Sequence, residues 1–247
     1  MALFISKIGL QKIILSDVDS TNNFAAKLIK EGVTGHGSVI MAENQSDGRG
    51  QSAAKWQSDP NLNLLLSIIL IPEEMDIKHP IHINWFISIS LIDFFRAKGI
   101  KAEIKWPNDI LVNGKKIAGI LIENKYAGSK LKNSVVGIGI NVNQVSFDSI
   151  IATSMKLEQN IDFVLEDLLE EFILYLKKKE DSMYSKNQDI LHKEYLNYLF
   201  GMGKLLKFNT NTGMLLGEIS GVDSNGQLLV RSDGKTHAFQ NKEIRFL

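Results

Sequence analysis

Cysteine is absent from the 247-residue chain, which excludes disulfides, thiolate zinc sites and a cysteine nucleophile. Its absence fits a reducing compartment. An excess of either charge is also missing. The 28 lysines and arginines balance 28 aspartates and glutamates, so no global field draws the chain to nucleic acid or to a strongly basic partner. No apolar run is long enough for a bilayer: the longest, Leu62 to Pro72, is short and is broken by Asn63 and Ser67. The first residues, MALFISKIGLQKIIL, lack a basic segment leading to a long apolar core and a small-residue cleavage site, so no signal peptide is read. The expectation is a cytoplasmic protein. Internal repeats, charge blocks and low-complexity tracts are missing as well.

Several catalytic signatures are absent too. No G-x-x-x-x-G-K-[ST] phosphate loop occurs, the dinucleotide fingerprint lacks its third glycine, and there is no G-x-S-x-G elbow. His79 and His82 could share a helix face, but no carboxylate cluster nearby completes a metal site.

What is present is an ordinary globular composition, 44% hydrophobic and 23% charged. Residues 1 to about 185 alternate helical and strand patterns, as in a mixed α/β domain. A helix is expected from Ser20-Thr21, with Phe24, Leu28 and Ile29 at helical spacing and Gly32 as its stop. Strands are expected at 37–42, 63–71, 103–106 and 135–142. A buried helix is expected at 81–97, closed by Gly99. Asn113-Gly114 is a type I′ turn signal between 110–112 and 115–123. Helices are expected at 163–178 and near 189–199. From Gly201 the pattern becomes short strands between turn residues, as in a small all-β unit packed on the first domain.

Four stretches could carry chemistry. In ENQSDGRGQSAAKW (43–56), Gly48 and Gly50 permit close backbone approach to a ligand. Arg49 offers a planar fork to a carboxylate or phosphate. A solvated turn that happens to hold an arginine explains the same residues. In KWPNDI (105–110), Pro107 halts sheet pairing and presents Asn108 and Asp109 at a strand end; an Asx turn beside a packed tryptophan is the plain alternative. In NGKKIAGILIEN (113–124), Lys116 opens an apolar strand, as an edge lysine would, and Gly119 marks a bulge or a close approach. In VGIGINVN (136–143), Gly137, Gly139, Asn141 and Asn143 share one face, opposite a core stripe. Either a ligand or a tightly packed helix requires those glycines.

Taken in order, these stretches resemble the biotin protein ligases. The resemblance rests on Ser20-Thr21-Asn22, Gln45-x-x-Gly48-Arg49-Gly50 leading to Trp56, Lys105-Trp106-Pro107-Asn108-Asp109, Lys116-Ile-Ala-Gly119-Ile-Leu-Ile-Glu123, and Gly137-Ile-Gly139-Ile-Asn141. It covers nearly the whole chain. It implies an α+β fold, with a mixed β-sheet flanked by helices as in class II aminoacyl-tRNA synthetases and biotin ligases, plus a small C-terminal SH3-like β-barrel. Residues 1–200 would be the catalytic domain and 201–247 the barrel.

The resemblance further implies a two-step reaction. ATP and Mg²⁺ convert biotin to biotinyl-5′-AMP, and a lysine of a biotin carboxyl carrier protein takes the biotinyl group. Ligases of the same fold use lipoate or another acyl acid, and a biotinyl-AMP-binding regulator with weak ligase activity is a further alternative. By resemblance, Ser20, Thr21 and Gln45 bind the ureido ring of biotin, and Gly48 and Arg49 cover its tail. Gly119, Gly137 and Gly139 let the ring lie against backbone. Lys116 bridges carboxylate and α-phosphate, Trp56 contacts adenine, and Asn108 and Asn141 bind the nucleotide side. Asp109 orients or deprotonates the incoming amine, although an ordinary aspartate is a weak base for that task. Gln51 to Ala54 replace arginines found in many relatives, with Lys55 as a possible substitute. Too few residues precede Ser20 for a helix-turn-helix domain, so the monofunctional form is expected, without nucleic acid or membrane and as a monomer or homodimer.

Overall fold

The computed structural model describes residues 6–51, 54–71, 80–148, 150–184 and 188–247; Ser52, Ala53 and His79 lie outside them. The first sheet has seven strands: β1 (Lys12–Val18), β2 (Val39–Gln45), β3 (Asn63–Leu70), β4 (Glu103–Lys105), β5 (Asp109–Val112), β6 (Lys115–Ala127) and β7 (Lys130–Asn141). Their order is β1-β2-β3-β7-β6-β5-β4. Only β1 and β2 run parallel; the other neighbours are antiparallel, so the sheet is mixed. Its helices are α1 (Thr21–Glu31), α2 (Ile81–Ala97), α3 (Met155–Gln159), α4 (Leu165–Tyr184) and α5 (Gln188–Asn197).

The period of two along the strands builds a different core on each face. Ile40, Ile69 and Val135 pack with Ala25 of α1. Their strand neighbours Val39, Met41, Ile68, Leu70 and Val136 join the larger core with α2, α4 and α5. Gly32, left-handed at φ 69°, caps α1 as expected of a glycine stop. Asn113 and Gly114 both have positive φ, as a type I′ turn requires, and β5 and β6 form the expected hairpin. A register shift between Ile110 and Leu111 places a bulge beside that turn, not at Gly119. The glycine therefore marks a close approach.

Three elements differ from the sequence expectations. β1 and α3 were not foreseen. The hairpin of β6 and β7 runs on through polar residues to the Ala127–Lys130 pair, well beyond the strands expected at 115–123 and 135–142. Its arms are exposed there, so no apolar alternation announces them.

The C-terminal sheet contains β8 (Leu205–Thr210), β9 (Gly213–Val222), β10 (Leu228–Ser232), β11 (Lys235–Phe239) and β12 (Ile244–Phe246). It is fully antiparallel, in the order β11-β10-β9-β8-β12. It is an open counterpart of the expected barrel, with β11 and β12 at its two ends. Phe208, Ile219, Val222, Leu228 and Val230 belong to the same hydrophobic cluster as α2 and the large core.

Candidate functional site

A cleft opens on the α1 face of the first sheet. Its floor is cut by glycines. Gly119 of β6 lies directly opposite Gly139 of β7, and Gly137 lies opposite Ser67 of β3. A methyl group on Gly137 would stand 2.5 Å from the Asn22 Oδ1 atom, and one on Gly139 would stand 2.4 Å from the Trp56 ring. Close packing is realised at both positions: Gly137 admits a side chain of α1, and Gly139 admits the Trp56 ring.

At one end the cleft is polar. Ser20, Thr21 and Asn22, where α1 begins, are all buried. Gln45, closing β2, accepts hydrogen bonds at Oε1 from the Thr21 N–H at 2.7 Å and from the Thr21 hydroxyl at 3.1 Å. Gln45 thus satisfies one of the amides that every helix N-terminus leaves open. The Ser67 hydroxyl, fully buried, lies 2.7 Å from Thr21 Oγ1 and 2.6 Å from Asn22 Oδ1. The Asn22 amide donates to Glu123 at 2.8 Å.

Two cations stand against the cleft. Lys116 Nζ pairs with Asp109 at 2.5 Å and lies 5.4 Å from the centroid of the Trp56 ring. Register explains the first contact: β5 pairs Asp109 with Gly119 and Leu111 with Lys116, so the bulge between them turns Lys116 to the face of Asp109. Arg49 reaches back over the rim. Its guanidinium donates to Glu123 Oε1 at 2.7 Å and to Asn23 Oδ1 at 2.8 Å. Asn23 in turn donates to Asp19 at 2.6 Å, and that hydrogen bond, with a second from the Ser20 N–H, holds the Asp19 carboxyl below its ordinary pKa.

The arginine loop is a small closed turn. Gly50 N–H donates to Ala54 O and Trp56 N–H donates to Gly48 O, which carries the Trp56 indole inward over Gly119 and Gly139. Its Nε1 is buried without a hydrogen-bond partner among the described residues. Lys55 points away and pairs with Asp47 at 2.9 Å.

The cleft thus gathers Ser20, Thr21, Gln45, Arg49, Trp56, Asn108, Lys116, Gly119, Gly137 and Gly139. Gly48 and Asp109 border it through Trp56 and Lys116. Asn108 is fixed by its amide, which donates to Ile120 O at 2.7 Å. Asn141 stands outside the lining. It is buried, and it donates to Thr153 O and Lys116 O, tying the segment after β7 to the lysine strand. Sequence reasoning assigned no role to Asn22, Ser67 or Glu123. Ser67 carried a signal, as a hydroxyl inside the otherwise apolar LLLSIIL run.

Comparison with known proteins agrees with this geometry. The model of the biotin/lipoate A/B protein ligase family matches residues 15–141. The bifunctional ligase/repressor BirA of Bacillus spizizenii is 29% identical over 228 residues, covering 90% of this chain and 70% of the relative. The biotin–[acetyl-CoA-carboxylase] ligase of Paracoccus denitrificans is 25% identical over 94% of this chain and 99% of its own. The structure of the Aquifex aeolicus biotin protein ligase, in complex with biotin and ATP, superposes with a TM-score of 0.80 at 24% identity, over 96% of this chain and 98% of that one. The family match spans just over half of the sequence and every strand of the cleft, and on that ground the chain belongs to the biotin/lipoate A/B protein ligase family.

Proposed function

We propose that the protein uses ATP to activate biotin as biotinyl-5′-AMP and transfers the biotinyl group to a lysine of a biotin carboxyl carrier protein. The observation that carries this reading is a single cleft that gathers polar groups at Thr21 and Gln45, a side-chain-free floor at Gly119, Gly137 and Gly139, and two cations, Arg49 and Lys116. That set of surfaces suits a flat neutral ring, an aliphatic tail and a carboxylate.

In the first step a biotin carboxylate oxygen attacks the α-phosphorus, the bond to the β-phosphate oxygen breaks, and pyrophosphate leaves. Two anions must meet, and Lys116 with Arg49 offsets their repulsion. Mg²⁺ would be supplied with ATP, whose phosphates hold it in enzymes of this kind. In the second step the acceptor amine attacks the acyl carbon, AMP leaves, and Asp109 takes up or orients the amine proton. Trp56 lies over the ring-binding glycines and would have to turn aside for a ligand, where it can flank the adenine. Asn108 faces the nucleotide, and Asn141 acts through the Lys116 strand. Residues 1–200 form the catalytic unit and 201–247 the small β unit. The ATP requirement favours a cytoplasmic setting.

The purified full chain, ATP–Mg²⁺ and a carrier domain, offered biotin or lipoate in turn, test the proposal by the mass of the carrier. A mass gain of one biotinyl group supports it. Transfer of lipoate alone assigns the protein to the other branch of the family. Biotinyl-AMP released without transfer would instead mark a regulator.

A further inference from the structure

We propose that Glu123 is the positioning residue for Arg49, holding the arginine over the cleft before any ligand arrives and linking it to the polar end through Asn22. The inference rests on the ligase reading only in naming the carboxylate that Arg49 later meets.

The geometry around Glu123 is specified from below. Its carboxylate accepts from the Asn22 amide at 2.8 Å, and Asn22 is 97% buried on the cleft floor. Asn22 cannot turn over without loss. Its Oδ1 faces the Ser67 hydroxyl and its Nδ2 faces a carboxylate, so reversing the amide would set acceptor against acceptor. The fixed amide fixes Glu123. Glu123 then offers both oxygens to Arg49, at 2.7 Å and 3.4 Å. Asn23, one residue along α1, receives Nη1 at 2.8 Å. These contacts use three of the five guanidinium protons. The Nε proton and the second proton on Nη2 remain to meet an anion.

The pair is 43% exposed at Arg49 and 35% at Glu123. An ion pair that open to water adds little to folding, so stability does not account for the arrangement. Orientation does. An unanchored arginine on a loop samples many rotamers, and that freedom must be lost when it grips a ligand.

The same contacts form a chain from Gln45 to Arg49. Three close contacts join Gln45 Oε1, Thr21 Oγ1, Ser67 Oγ and Asn22 Oδ1, yet the two hydroxyls have only two protons. The Thr21 hydroxyl donates to Gln45 Oε1, beside the Thr21 N–H, and the single Ser67 proton is shared between Thr21 Oγ1 and Asn22 Oδ1. The contacts then run from Gln45 through Thr21 and Ser67 to Asn22, and Asn22 donates onward to Glu123. A ligand that pulls on Thr21 or Gln45 therefore acts on the group that holds Arg49.

Glu123→Gln and Arg49→Met test this, alone and combined. In unliganded protein, exchange of the Gly50 and Trp56 amides, which close the arginine loop, should speed up about tenfold in either single variant, and the double variant should be no faster, as expected of one shared interaction. In the adenylation assay Glu123→Gln should raise the KM for biotin about tenfold with kcat within about twofold, and should add nothing once Arg49 is already replaced. Glu123→Asp, which keeps the charge and loses reach, should fall between. Unchanged loop exchange in Glu123→Gln, or additive effects in the double variant, would overturn the proposal. If the exchange results hold but the wild-type protein does not activate biotin, the ligase reading fails and the positioning role stands.

Discussion

Lys116 meets a carboxylate in the unliganded protein and, in the proposed reaction, exchanges it for reactant oxygens. The Lys116 and Asp109 side chains are both about two-thirds covered, at 32% and 28% exposure. A pair of that kind contributes at most about 1 kcal/mol to folding, so Lys116→Ala should shift Tm by no more than about 4 °C. Biotin-dependent pyrophosphate release should fall at least about 100-fold, the scale of a lost transition-state contact. A fall in Tm large enough to explain the lost rate would reject the catalytic assignment. The residues of this pair were legible because their motifs are contiguous. Asn22, Ser67 and Glu123 were harder to read, since they come from α1, β3 and β6 and meet only once the sheet is assembled.

Among elements, β7 carries the sharpest contrast. Its two cleft-facing glycines, Gly137 and Gly139, have equally close neighbours of different kinds. Gly137 faces Asn22, which is buried and hydrogen-bonded on both ends of its amide. A methyl there must push α1 away or break the network, so Gly137→Ala should lower stability by about 1–3 kcal/mol. Gly139 faces the Trp56 ring at the end of a surface turn, and the ring can yield. Gly139→Ala should cost less than about 1 kcal/mol and still block ligand entry. Urea midpoints and biotin titration by tryptophan fluorescence separate the two. Equal destabilisation by both variants would mean that Trp56 is as fixed as Asn22. Strand β7 was readable because glycines and core residues alternate cleanly. β1 was not, since it is a half-exposed edge strand with no clean period to detect. Helix α3, only five residues long, is too short to show one.

At the scale of the whole molecule, the two sheets divide by topology but not by packing. Strand β4 is held on the side away from the cleft by segments near and beyond residue 200. Ile104 N–H donates to Tyr198 O, Phe200 N–H donates to Ile104 O, and the Trp106 indole donates to Gly226 O at 2.9 Å. Gly226 is pressed so closely on Ile81 of α2 that a methyl would come within 2.9 Å of it. The strand end that presents Asn108 and Asp109 is therefore braced by the C-terminal unit, and cores on both sides of position 200 form one cluster. Unfolding followed by far-UV circular dichroism and by tryptophan fluorescence should give coincident midpoints, as for a single cooperative unit. Trp56, Trp85 and Trp106 all precede residue 201, and Trp106 is bonded to Gly226, so the fluorescence reports the larger unit and that contact while the circular dichroism reports both units. A separate early loss of β signal with unchanged fluorescence would show that the C-terminal sheet melts on its own. In that event its brace on Trp106 could not be what holds Asp109 at the cleft.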